Sequence, residues 1–336
     1  MWVNYFMEKS QIDVLLATYN GEKYLKEQIE SILNQTYSNI RLVISDDCSK
    51  DNTREVLKQY ENNPKVEIHY QEKNLGYVKN FEYLLNQVKN DLYMLSDQDD
   101  IWLPEKIEKS VEKIKNENAD LVFGDLEVVD ENLKTIYPSF NKFMKLDKKI
   151  KKYINSYKVN YLYNCVTGCT ILSKKEWIEK IIPIPVDSKY LIHDHWIGII
   201  IGCSGKLAYM PERYIKYRQH GNNQVGTDKI SHKFTQLKQV RELFINVKLG
   251  VFGTYVKHNE KFPEAIQELN KKAYNYYKMI QTKKNFNFRN WNIFHELYKT
   301  ETAMYYIENF IIMNLPLLGK GLFKIRHLIL KIMRKR

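Results

Sequence analysis

The chain has 336 residues, 44% of them hydrophobic and 27% charged, with 52 Lys and Arg against 40 Asp and Glu. An aromatic fraction of 13% is too high for a disordered chain, and 13 Gly with 4 Cys exclude collagen-like and disulfide-scaffold proteins. No apolar run approaches the ~20 residues needed to cross a bilayer. The net charge of +12 is unevenly placed: residues 1–225 carry 31 basic and 32 acidic side chains, whereas residues 226–336 carry 21 and 8. The excess therefore belongs to the last third, and the remainder does not look like a nucleic-acid binder.

Residues 1–10 contain Glu8 and no apolar core of signal-peptide length, so no secretion signal is expected. The apolar run 12–17 predicts a buried strand, ended by the loop 18–22. A helix is predicted over 23–35 from Leu25, Ile29, Ile32 and Leu33. A strand over 41–45 runs into Asp46-Asp47-Cys48-Ser49, followed by a helix over 51–62 and a strand over 66–70. The helix 77–89 leads to the strand 92–96 and the acidic turn Asp97-Gln98-Asp99-Asp100. Alternation of this kind predicts an α/β protein with a parallel sheet, whose ligands bind beyond the carboxyl ends of the strands.

A helix over 105–118 and a strand over 121–124 follow. The basic stretch 141–158 is expected to be a surface segment or mobile lid. Then come a strand or loop over 166–172, a helix over 177–182, and a loop into His193-Asp194-His195-Trp196. The four cysteines, Cys48, Cys165, Cys169 and Cys203, show no zinc-site spacing and are expected to be reduced and mostly buried. After about residue 225 the composition shifts to Lys, Asn and Tyr with long helical periodicity, which marks the domain boundary.

Three acidic clusters carry the chemistry: Asp46-Asp47, Asp97-x-Asp99-Asp100 and Asp194. A strand-terminal Asp-x-Asp suits a hard divalent cation with coordination sites left for water and phosphate oxygens. The missing Gly and distal Glu exclude an EF-hand.

The run Val14-Leu15-Leu16-Ala17-Thr18-Tyr19-Asn20-Gly21-Glu22-Lys23-Tyr24-Leu25, the segment 31–37, Ser45-Asp46-Asp47-Cys48-Ser49 and Ser96-Asp97-Gln98-Asp99-Asp100-Ile101-Trp102 resemble family 2 glycosyltransferases. Thr167-Gly168-Cys169-Thr170, His193-Asp194-His195-Trp196 and Tyr217-Arg218-Gln219-His220-Gly221-Asn222-Asn223 resemble the rhamnosyltransferase-like subgroup that builds bacterial surface polysaccharides. The likeness spans about residues 10–225.

It implies a GT-A (Rossmann-like) nucleotide-sugar-binding domain with a mostly parallel sheet over 1–225, then a helical basic region over 226–336. The implied activity is inverting transfer from a dTDP- or UDP-sugar, with dTDP-rhamnose favoured and UDP-glucose or UDP-galactose the alternative. The acceptor would be a saccharide on a polyprenyl-diphosphate carrier. The resemblance implies nucleotide contacts from Thr18, Tyr19, Asn20 and Glu22, and Asp47 accepting from N3–H of uracil or thymine. A carboxylate is acceptor-only and suits that edge; a cap on the helix over 51–62 that follows is the alternative for Asp47.

Lys79 and Arg218 are further candidates for the nucleotide, with a solvated lysine and a structural ion pair as the alternatives. Asp97 would face the ribose or the metal shell. Asp99 and His220 would ligate Mn²⁺ or Mg²⁺, and an imidazole ligand favours manganese. Asp194 would be the base that deprotonates the acceptor hydroxyl. Gly168, His195 and Trp196 would shape the acceptor pocket. His193 departs from the Glu common in the family, which leaves its role open.

Beyond Glu308 no acidic residue occurs, while Leu318, Leu322, Ile325, Ile329 and Ile332 recur at helical spacing beside Lys320, Lys324, Lys331 and Lys335. A basic amphipathic helix over about 314–336 is expected to dock on an anionic membrane. The enzyme would thus be cytoplasmic and peripheral on the inner face of the membrane. A helix packed on the protein's own core is the alternative.

Overall fold

A computed structural model describes residues 10–221, 237–282 and 289–299, so the expected helix over 314–336 lies outside the described residues. The chain divides into two compact units, residues 187–191 grouping with the second.

The first unit is built on a nine-stranded sheet. Its leading half alternates β1 (Ile12–Thr18), α1 (Leu25–Leu33), β2 (Ile40–Asp46), α2 (Thr53–Lys58), β3 (Val66–Tyr70), α3 (Tyr77–Leu85) and β4 (Leu92–Ser96). These four strands are parallel in the order β3-β2-β1-β4. Both faces of β1 are covered, with Ile12, Val14, Leu15 and Leu16 fully buried, which is why the sequence reads as a nearly continuous apolar run rather than an alternating one. Leu25, Ile29 and Ile32 lock α1 onto that sheet. Asp13 interrupts the run and is fully buried, but its carboxylate accepts from Arg41 Nη1 (2.7 Å), the Lys89 amide (2.7 Å) and the Asn90 amide (2.8 Å).

The second half adds β5 (Ile101–Trp102), α4 (Lys106–Asn116), β6 (Leu121–Val129), β7 (Thr135–Tyr137), α5 (Phe140–Phe143), α6 (Asp147–Tyr153), α7 (Lys158–Tyr161), β8 (Leu172–Lys174), α8 (Ile178–Ile181), α9 (His193–Ser204) and β9 (Leu207–Arg218). β8 lies antiparallel between β4 and β6, β6 pairs in parallel with β9, and β5 and β7 close the edges antiparallel. The sheet is thus mixed beyond β4. The stretch 141–158 is a surface segment, as one of its two readings has it: it folds into short helices in which only Asn141 and Ile150 are buried. The segment entering His193 is the expected loop, and α9 begins at His193 itself.

The second unit holds α10 (Leu237–Lys257), α11 (Glu264–Thr282) and α12 (Arg289–Tyr298). Its core is aromatic. Phe252 stacks on Tyr277 with centroids 5.5 Å apart, Phe294 stacks on Tyr298 at 4.5 Å, and the Tyr277 and Tyr298 hydroxyls meet at 2.5 Å.

Candidate active site

Register places the chemistry. Thr18 pairs with Asp46 and Leu16 with Ser96, so the loops after β1, β2 and β4 leave the sheet at one edge. The strand order reverses between β1 and β4, the crevice where open α/β sheets bind ligands. Asn20 takes a positive φ of 50° in the first loop. Its amide donates to Ser49 Oγ (2.9 Å), its side-chain oxygen accepts from the Lys50 amide (2.8 Å), and Glu22 accepts from the Asn52 amide (2.9 Å). Thr18 and Tyr19 are tied to the third loop through Gln98, whose Oε1 accepts from Thr18 Oγ1 (2.6 Å) and the Tyr19 amide (2.8 Å).

Asp47 accepts from the amides of Leu75 (2.6 Å) and Gly76 (2.9 Å). It therefore fixes the entry to α3, a later helix than the one it was expected to cap. Lys79, one turn on, meets Glu82 at 2.9 Å and the Ile184 carbonyl at 3.2 Å.

The Asp97–Asp100 turn is held from beneath by Arg218, which is 3% exposed. Arg218 Nε donates to the Asp99 carbonyl (3.1 Å), Nη1 to the Glu131 carbonyl (2.9 Å) and Nη2 to Glu27, while its plane lies 4.4 Å from the Tyr24 ring centroid. The guanidinium works as a bracket for the turn rather than as a free phosphate fork. His220 Nε2 lies 2.9 Å from Asp99 Oδ2, which brings together the two residues expected as ligands. Burial first, then the charges of Asp99 and Asp194, push the Asp97 carboxyl up to about 7. The Asp99 carboxylate with the His220 imidazole against it, on the same turn as Asp97, is a donor set suited to Mn²⁺ or Mg²⁺.

Asp97, Asp100 and Cys169 form a tighter trio, with one ligand atom from each within 4.8 Å of the others. Burial and the Asp100 charge hold the Cys169 thiol well above its ordinary range, so it stays protonated and is a poor partner for a hard cation.

Asp194 stands in the first turn of α9. Its Oδ1 accepts from Asn164 Nδ2 (2.8 Å) and the His195 amide (2.6 Å), and its Oδ2 from the Gly168 amide (3.1 Å). Burial raises its carboxyl to about 6, with those hydrogen bonds opposing the rise. A methyl group on Gly168 would come within 3.0 Å of His193 Nε2, which is tight, and 3.5 Å of Asp194 Cβ, an ordinary contact, so a side chain there would crowd His193.

The Glycosyl transferase family 2 profile matches residues 13–182. The chain belongs to that family. Over 219 residues the glycosyltransferase is 32% identical to an uncharacterized glycosyltransferase of Methanocaldococcus jannaschii, covering 63% of this chain and 72% of the relative. It is 30% identical over 240 residues to the dTDP-rhamnosyl transferase RfbG of Shigella flexneri, covering 67% and 79%. Its fold is similar to that of residues 1–349 of TarS from S. aureus, solved with UDP-GlcNAc, at a TM-score of 0.55 and 17% identity over 86% of this chain and 81% of that fragment. The fold is GT-A, mixed α/β with a mostly parallel sheet.

Two acceptor-pocket expectations need correction. Trp196 is fully buried and its indole N–H donates to the Ile181 carbonyl (2.8 Å), so no ring face is available to a sugar. His195 is likewise internal, its Nε2 2.9 Å from the Asn160 carbonyl. Sequence reasoning missed Gln98, which lies inside the recognised turn, and Asn164, which no local pattern distinguishes.

Proposed function

We propose that this family 2 glycosyltransferase moves a sugar, with inversion, from a nucleoside diphosphate donor to a saccharide hydroxyl. The observation that carries this reading is the buried Asp194 carboxylate. Asn164 and the Gly168 amide fix its orientation, its proton affinity is raised into a base's working range, and its charge is felt by Asp97 of the acidic turn. The acceptor oxygen attacks the anomeric carbon as the bond to the diphosphate oxygen breaks. Its proton passes to Asp194 and the bonding pair leaves with the nucleoside diphosphate. Asp97, Asp99 and His220 would hold a divalent cation, manganese favoured, which supplies neutralisation of the diphosphate charge.

Asp47 retains a lone pair on each oxygen beyond those used by Leu75 and Gly76, and we assign it to the pyrimidine N3–H. dTDP-rhamnose is the favoured donor, in keeping with the relative RfbG, and a lipid-linked saccharide the favoured acceptor. Docking on anionic lipid is assigned to the segment 314–336. Among the described residues no helix is long and apolar enough to cross a membrane. A donor-release screen with UDP- and dTDP-sugars and manganese, with and without lipid-linked acceptor, tests the assignment. Nucleoside diphosphate release that never depends on acceptor would overturn it.

A further inference from the structure

Residues 142–152 carry Lys142, Lys145, Lys148, Lys149, Lys151 and Lys152 against the single acid Asp147, whereas residues 1–225 as a whole are balanced. Buried Ile150 fixes α6 by one face, so Lys148 and Lys152, two residues before and after it, stand exposed on the opposite side. Lys142 and Lys145 are exposed as well. Large apolar side chains reach solvent in the same stretch: Ile136 is 43% exposed, Phe143 39% and Met144 40%. Phe143 is held in place, its ring stacked on Tyr137 with centroids 3.8 Å apart. Ser139 Oγ accepts from the Lys142 amide (3.1 Å) and donates to Asp125 (2.5 Å), which pins α5 to β6.

Topology gives this patch a direction. β8 runs antiparallel to both β4 and β6, so β6 ends at the same edge of the sheet as β1, β2 and β4. β7 turns back from that end, and in the turn the Glu131 carbonyl accepts from Arg218, the bracket of the acidic turn (2.9 Å). Phe140, which opens α5, lies 6.4 Å from the Tyr217 ring, next to Arg218. The patch thus flanks the edge where the acidic turn opens. A solvated basic face has no use for consecutive exposed phenylalanine and methionine side chains. An anionic bilayer takes both, with ammonium groups at the phosphates and apolar tips below them.

We propose that Ile136, Phe143 and Met144, with Lys142, Lys145 and Lys148, form a second contact with anionic phospholipid that turns the active-site edge of the first unit toward the membrane. A few lysines and apolar tips bind weakly and reversibly by themselves, so this contact orients the unit and anchoring is left to the segment 314–336. That the orientation presents a lipid-linked acceptor to Asp194 rests on the transfer reading; the docking does not.

The test uses the full chain with a tryptophan reporter. Phe143→Trp exchanges one exposed ring for another, and its emission is read as the difference from the parent. Phosphatidylglycerol vesicles brominated in the acyl chains, in large excess at low salt, should quench that emission by at least half. Brominated phosphatidylcholine vesicles should not. Adding Lys145→Glu and Lys148→Glu should raise the lipid concentration for half-quenching at least tenfold. Asn116→Trp, exposed at the opposite edge where β6 begins, should stay unquenched on the same anionic vesicles. No quenching of the Phe143→Trp reporter, whether or not the chain floats with the vesicles, would overturn the proposal. Equal quenching of both reporters would also overturn it, since contact would then lack orientation. Binding to soluble polyglutamate without quenching by vesicles would overturn it in favour of an acidic protein partner. Quenching as expected, in a protein that transfers no sugar, would uphold the docking and overturn only the transfer reading.

Discussion

Replacing Asp194 by Asn should inactivate the protein and stabilise it, both for the same physical reason. The Asp194 carboxyl rises from an ordinary 3.8 to about 6 because the fold buries it. Between those values the native chain keeps a proton that the unfolded chain has lost, so stability falls as pH rises through that window and the loss is complete above about pH 6. At about 1.4 kcal/mol per unit, ionised Asp194 costs the fold about 3 kcal/mol. Asn escapes that cost. Its amide N–H₂ must, however, face either Asn164 Nδ2 or the Gly168 amide, both donors, which returns about 1 kcal/mol.

The net gain of about 2 kcal/mol at pH 8 should raise Tm by roughly 4–8 °C for a domain of this size. At pH 4.5, where the native carboxyl holds its proton, the gain should nearly vanish. Thermal denaturation of both proteins at the two pH values measures this. Transfer by Asp194→Asn should fall at least a hundredfold, and the parent's kcat/KM should drop tenfold per pH unit below about 6. An equal Tm difference at both pH values, or transfer within a few-fold of the parent, would refute the reasoning.

Arg218→Met should lower stability by about 3 kcal/mol, because it strips donors from the Asp99 and Glu131 carbonyls in a buried place; urea denaturation checks this. Unchanged stability with lost nucleotide affinity would return Arg218 to the phosphates. Asp99→Asn and His220→Ala should each weaken manganese binding in the presence of UDP by tenfold or more in calorimetric titrations. Unaltered affinity would remove that residue from the ligand set. Removing residues 314–336 should shift the protein from floating with phosphatidylglycerol vesicles to remaining unbound at low salt, and unchanged flotation would sink the membrane assignment.

How much the sequence discloses depends on whether burial leaves a period. β1, β2 and β4 are legible because strands covered on both faces become short apolar runs between polar turns, and the edge strand β3 because Val66, Ile68 and Tyr70 alternate with polar residues; the strands 66–70 and 92–96 match their observed bounds. α9 is not legible. Residues 193–201 are all buried, so no polar stripe marks a helix, and the run Ile199-Ile200-Ile201 favours a strand by propensity. β9 hides for the opposite reason: it carries Glu212, Arg213, Lys216 and Arg218, and its pairing with β6 shifts register near Gly124 and Asp125. The acidic turn is conspicuous as a motif, whereas Arg218 bracing it is 119 residues away from Asp99. Long-range partners of this kind leave no trace in local spacing.

One such partnership ties the two sides of the reaction together. Asp47 is assigned to the donor, but both its oxygens hold the backbone at Leu75 and Gly76. Gly76 adopts φ 80°, ψ 152°, a conformation open essentially to glycine alone, and Tyr77 follows as the first residue of α3. The carboxylate that would read the nucleotide base thus also sets the ring that meets His193 and feels the charge of Asp194, the base assigned to the acceptor. Asp47→Asn keeps the shape but has one acceptor oxygen for two amide donors, so one bond is lost at a cost of about 1–3 kcal/mol. The loop 74–76 should loosen, and Tyr77 with it. If the coupling is real, Asp47→Asn should raise the acceptor KM at saturating donor as well as weaken donor binding. A defect confined to donor affinity, with acceptor KM unchanged, would show that the two sides are independent.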